Sequence, residues 1–121
     1  MRVWKICRQP YAAEALDGIG GLYASGRWHS QGVPIVYAAS SAALAALEVL
    51  VHVDQLTAPA DLRLLSIDLP PDLSMEVIKP SGLPLGWSEL PAPPELQELG
   101  TSWLRSARTA ALSVPSAVIT V

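Results

Sequence analysis

Apolar and polar positions recur along this chain in short blocks. Val3, Trp4 and Ile6 predict an opening strand over 3–7, which Gln9 and Pro10 end. A short helix is expected over 11–16. After Pro34, the β-branched and aromatic run Ile35, Val36, Tyr37, Ala38 predicts a further strand. The Ala- and Leu-rich stretch 41–53 predicts the clearest helix, with Ser40 as its N-cap. Leu44, Leu47 and Val51 share one face of it, and Val49 and Leu50 widen that face. The pattern therefore predicts a helix buried nearly all round.

Residues 62–69 alternate as a second long strand closed by Pro70 and Pro71, and 75–78 suit another short one. Residues 79–94, rich in Pro and Gly with Trp87 in the middle, read as an ordered loop over the core. Leu96, Leu99, Trp103 and Leu104 then form one stripe of a helix over 94–108. Two strand-like runs, 110–114 and 117–121, close the chain around Pro115 and Ser116.

A length of 121 residues suits one domain with one core. Eleven prolines argue against a helical bundle, because proline lacks the donor that helix interiors need. The expected class is α+β, with small mixed or antiparallel sheets around a buried central helix. Apolar residues make up 50% of the chain, yet no run approaches the roughly 20 residues that span a membrane. The first residues lack the pattern of a secretory signal, so the expected location is the cytoplasm. Cys7 is a single cysteine, which excludes an internal disulfide and makes a metal site an unpromising expectation. The net charge of −3, with eight Lys and Arg scattered singly, lacks the footprint of a nucleic-acid binder.

Four residues conflict with their apolar surroundings: Arg27, Tyr37, Glu48 and Ser116. Glu48 is the only acid on the 41–53 helix. There it either faces a cleft or forms a structural ion pair, because an unpaired buried carboxylate costs several kcal/mol. Arg27 lies in a Gly-rich turn where a guanidinium can grip a diphosphate, or simply be solvated. Tyr37 suits either a stacking surface or core. Ser116 suits either a hydroxyl donated to substrate or an ordinary turn. His29 and His52 are the imidazoles within reach of acid–base work, and a histidine at a helix end caps carbonyls. The stretch Gly18-Ile19-Gly20-Gly21 suits a phosphate cradle or a plain loop. Neither a Walker loop nor a G-x-S-x-G elbow occurs.

The blocks Gly26-Arg27-Trp28-His29-Ser30-Gln31-Gly32, Ile35-Val36-Tyr37-Ala38, Ala46-Leu47-Glu48-Val49-Leu50-Val51-His52 and Val114-Pro115-Ser116-Ala117-Val118 together resemble the RES domain, as does Gly100-Thr101-Ser102-Trp103-Leu104. The resemblance runs from Val3 to Val121. It implies a bacterial type II toxin whose fold is similar to ADP-ribosyltransferases of the diphtheria-toxin type. NAD is then the substrate and not a true cofactor. It is cleaved at the nicotinamide bond by hydrolysis or phosphorolysis, or its ADP-ribose is passed to a protein acceptor. A chain that only binds its antitoxin is the non-catalytic alternative. The implied partner is an Xre-type antitoxin, with no direct contact to nucleic acid or membrane.

The resemblance also implies roles. Arg27 would hold the NAD phosphates, Tyr37 the nicotinamide ribose, Glu48 the charge at the cleaved centre, and Ser116 the substrate or Glu48. Lys5 stands where the family carries arginine, so it keeps the charge for phosphate binding but loses the planar fork; Arg8 is a substitute. The family continues past the Pro-Ser strand into an Asn-rich segment, and this chain is expected to lack it. An exposed edge near Val121, or the 79–94 loop, is then where a homo-oligomer would form.

Overall fold

The computed structural model describes residues 1–51 and 59–119. In chain order the elements are β1 (Arg2–Arg8), α1 (Gly20–Tyr23), α2 (Ala42–Leu50), β2 (Leu62–Asp68), β3 (Met75–Val77), α3 (Pro94–Ser106) and β4 (Ala111–Ser113), with 3₁₀ turns at Gln9–Glu14 and Pro80–Gly82. The class is α+β with small sheets, as the sequence predicts. The chain divides into two compact units. One comprises Met1–Asp17 and Val36–Pro71, the other Gly18–Ile35 and Asp72–Val121. Among the described residues, no helix is long and apolar enough to cross a membrane.

In the first unit β1 and β2 pair antiparallel, in register from Arg2 with Asp68 to Arg8 with Leu62. Both ends of the ribbon carry an ion pair, Arg2 Nε to Asp68 at 2.8 Å and Arg8 Nε to Asp61 at 3.1 Å. The arginine beside each carboxyl holds it below the usual aspartate range, chiefly through the hydrogen bond it donates. Solvent screens both pairs, so they set register more than they add stability.

Helix α2 begins one residue later than the sequence suggests, because Ser41 rather than Ser40 is the N-cap, its hydroxyl accepting from Leu44 N at 3.0 Å. The expectation that this helix is buried nearly all round is corrected. Only Ala45 is buried, while Leu47, Leu50 and Val51 are 38%, 56% and 50% exposed. The reason is that α2 packs against the narrow β1 ribbon, which covers one side of it. His52 and Val53, the expected end of the helix, lie outside the described residues.

The expected strand over 35–38 does not form. Trp4 and Ala39 exchange backbone bonds of 2.8 and 2.7 Å, but the pairing stops there. Continuing that register would bring Ile6 opposite Tyr37, yet the Tyr37 carbonyl accepts from the Lys5 ammonium at 3.3 Å. Pro34 has no N–H to offer, and Ile35 N donates to Gly18 O. The predicted helix over 11–16 is likewise a 3₁₀ turn, Gln9–Glu14, with Pro10 in its first turn.

In the second unit β3 and β4 pair parallel, with Met75 opposite Ala111 and Val77 opposite Ser113. A parallel pair needs a long crossover, and the segment between these strands contains α3. Helix α3 opens with Pro94 in its first turn, buries Leu96 completely, and ends at Ala107 in the left-handed region with φ 52°. Its apolar stripe is interrupted by Gly100 and Thr101, both buried. A Cβ at Gly100 would overlap the Trp28 carbonyl, so the chain at Trp28 lies directly on the helix backbone. The run after Pro115 is not a strand over 117–119. The Ser116 hydroxyl accepts from Val118 N and Ile119 N at 3.0 and 3.1 Å and turns the chain instead. Thr120 and Val121 lie outside the described residues.

This contact predicts that Gly100→Ala destabilises the protein by about 1–3 kcal/mol, the range for overpacked interiors. Gly20→Ala, where a Cβ meets nothing within 4 Å, is expected to be neutral or stabilising by up to about 1 kcal/mol. Denaturant midpoints for the two variants check this; equal midpoints would contradict it.

Candidate functional site

The segment around Arg27 is held at both ends by α3. Gln97 Nε2 donates to Gly26 O at 2.9 Å, and Ser30 N donates to the Thr101 hydroxyl at 2.9 Å. Between these ties Trp28 and His29 are buried, 5% and 4% exposed. The His29 ring places Nε2 at 2.8 Å from Ala24 O. A carbonyl only accepts, so that nitrogen carries the proton and His29 works as a structural tie of its turn.

Arg27 is thereby aimed from a rigid support. Its Nη1 donates to Trp87 O at 2.8 Å and its Nη2 to Glu89 O at 3.1 Å. Two donors of one planar group thus grip two carbonyls of a loop about sixty positions away in sequence. That loop is folded by its own tight turns, Trp87 N to Pro84 O at 3.2 Å and Glu89 N to Gly86 O at 3.0 Å. Gly86 at φ +78° supplies the left-handed position the turn requires.

Ser116 lies in the same unit and lines an open cleft of about 260 Å³, together with Lys79, Trp87, Ser113 and Pro115. Arg27 and Ser116 are therefore linked through Trp87, whose carbonyl the first holds and which lines the same cleft as the second. The Ser116 oxygen accepts from two backbone donors, which fixes where its hydroxyl sits.

In the other unit the structure brings Lys5 and Tyr37 together, ammonium to carbonyl, at 3.3 Å. Burial pushes the Lys5 pKa down, and a smaller opposing effect of Cys7 does not cancel it. Tyr37 is 39% exposed. Glu48 sits on α2, half-buried, so its desolvation cost is below that of a fully enclosed carboxylate. Among the described residues no buried side-chain nitrogen or oxygen lacks a hydrogen-bond partner.

Nothing in the sequence marks Lys79 as a residue of this cleft, and Trp87 reads there only as part of a loop. An indole amid prolines and glycines was the available signal, since large aromatics seldom stand in loops without a surface to cover. What no spacing could show is that Arg27 fixes that loop.

Comparison with known proteins follows the same blocks. The RES domain family model matches residues 2–120. Among curated relatives, the "Prs ADP-ribosylating toxin" of Sphingobium sp. (strain YBL2) is 42% identical over 120 residues, covering 96% of this chain and 74% of that protein. "Toxin Res" of Pseudomonas putida is 43% identical over 122 residues, 98% of this chain and 78% of the relative. "Toxin Res" of Photorhabdus laumondii is 38% identical over 120 residues, 98% and 76% respectively.

The position of Lys5 yields a test that is independent of any ligand. Its folded pKa is lowered from the ordinary 10.5, so the unfolded chain binds more protons just below that pH. Lys5 therefore makes stability rise with pH as the folded pKa is passed and 10.5 approached. Denaturant midpoints of wild type and Lys5→Met, measured up that alkaline range, should diverge in slope, with the wild type gaining. Parallel curves would show that Lys5 is as solvated in the fold as in the unfolded chain.

Proposed function

The chain belongs to the RES domain family, and from that premise we propose that it is an NAD-consuming toxin that breaks the bond between nicotinamide and ribose. The observation that carries the reading is the match across residues 2–120, which takes in every block that bears a candidate residue, together with relatives that bear the name toxin. The match runs through both compact units without a break, which supports one functional domain.

The chemistry asks little of the protein beyond binding and charge. As the C1′–N bond lengthens, the bonding pair moves to the pyridinium nitrogen and nicotinamide departs neutral, leaving an oxocarbenium-like ribosyl centre. A carboxylate stabilises that positive charge, and Glu48 is the residue proposed for it. An oxygen of water or phosphate then bonds to C1′, and where water attacks its proton is released to solvent. In this reading Tyr37 packs against the nicotinamide ribose, Lys5 serves the phosphates, Ser116 offers its hydroxyl to substrate, and Arg27 acts through the loop whose carbonyls it holds. Glu48 is the residue whose loss should abolish turnover with the least effect on binding.

A second reading, transfer of ADP-ribose to a protein side chain, is favoured by the name of the Sphingobium relative, an ADP-ribosylating toxin. The two share the cleavage step and differ in the oxygen or nitrogen that takes C1′. In either case the proposed setting is the cytoplasm, where NAD is abundant, and the proposed partner is an antitoxin protein of the Xre type that covers the site.

Induced expression of the chain in bacterial cells separates these readings. The expected result is a fall in total NAD before growth stops, with neither change on expression of Glu48→Gln. Arrest at undiminished NAD with new ADP-ribosylated protein would favour transfer. Arrest with neither change, or an equally toxic Glu48→Gln, would overturn both.

A further inference from the structure

The cleft beside Ser116 has a volume of about 260 Å³, just below the roughly 300–1,000 Å³ of pockets that enclose a drug-sized ligand. It is open and has room for one planar ring rather than for a whole dinucleotide. Its lining residues include the aromatic Trp87, the apolar Ile78 and Val114, and the basic Lys79. An aromatic face with a neighbouring cation suits a planar heterocycle carried near a phosphate.

Two features of the chain hold Trp87 in place. The tandem turns Pro84 to Trp87 and Gly86 to Glu89 fold the loop on itself, and Arg27 clasps the carbonyls of Trp87 and Glu89. Arg27 cannot shift easily, because the residues on either side of it are tied to α3. The backbone that carries Trp87 is thus fixed before any ligand arrives, which lowers the entropic cost of ordering the loop on binding.

Resting on the reading of this chain as an NAD-consuming enzyme, we propose that Trp87 is the platform on which one planar ring of the dinucleotide stacks, and that Arg27 is a positioning residue acting through Trp87. On this account the guanidinium serves the loop backbone first. Its effect on the reaction is transmitted by the indole.

The test pairs steady-state nicotinamide release from NAD with calorimetric titration of NAD, ADP-ribose and nicotinamide mononucleotide into wild type, Trp87→Ala, Trp87→Phe, Arg27→Ala and the double variant Trp87→Ala/Arg27→Ala. Stacking of a base on an aromatic side chain implies that Trp87→Ala raises KM and Kd for NAD by roughly five- to a hundredfold with kcat little changed. Trp87→Phe should restore most of the affinity. Arg27→Ala should raise KM similarly, and the double variant should be no worse than the weaker single variant, since both remove one contact. If the ring is adenine, ADP-ribose loses affinity in Trp87→Ala while nicotinamide mononucleotide does not; if it is nicotinamide, the reverse holds. Unchanged KM and Kd in a folded Trp87→Ala that still cleaves NAD would overturn the proposal while leaving the NAD reading intact. Additive effects in the double variant would place Arg27 on the ligand itself and overturn its positioning role. Wild type that binds NAD without cleaving it still decides the matter through Kd. Wild type that binds none of the three ligands overturns the proposal together with the reading beneath it.

Discussion

Helix α3 can lie against the backbone at Trp28 only because residue 100 has no side chain, and much of the second unit follows from that approach. The close contact buries Trp28 and His29, and it brings Gln97 and Thr101 within reach of Gly26 and Ser30. Arginine at position 27 is then carried on a stretch of chain tied down on both sides. From there its guanidinium reaches the Trp87 and Glu89 carbonyls. Remove the space at Gly100 and each later contact loses its support in turn.

The role this gives Arg27 differs from what residue type alone suggests. A guanidinium is suited to phosphate because it offers donors in a fixed fork, and the same fork suits two carbonyls of one folded loop, those of Trp87 and Glu89. Using it on backbone orders a loop rich in proline and glycine on both sides of Trp87, with Pro84 and Gly86 before it and Pro91 after it. A loop ordered in advance leaves less ordering to oppose whatever binds beside it. The Lys5 ammonium is used in a comparable way in the first unit. It caps the Tyr37 carbonyl and ends the strand pairing that Trp4 and Ala39 begin.

Where local pattern decides structure, the sequence was a sound guide. Strands β1 and β2 follow their alternation, and α3 follows its stripe of Leu96, Leu99, Trp103 and Leu104. The failures have long-range causes. Ile35 to Ala38 has every local mark of a strand, but its neighbour β1 offers a lysine side chain where a ladder donor was needed. The apolar positions of α2 predicted burial that a two-stranded ribbon is too narrow to supply. Of the candidate residues, Arg27 and Ser116 were legible as polar groups out of keeping with their surroundings, and both prove to be anchored by specific bonds. Their link through Trp87 was not legible, since it depends on partners some sixty positions apart. Glu48 was legible as the lone acid of its helix, although the helix is far more exposed than its composition implies.

The proposed function turns on one bond, the link between nicotinamide and ribose. The most direct measurement is release of free nicotinamide from NAD by the purified chain, followed chromatographically beside Glu48→Gln of equal stability. The account predicts release by the wild type and its collapse, by about a hundredfold or more, in the variant, the scale on which loss of a transition-state charge partner acts. Equal release by the two proteins would contradict it.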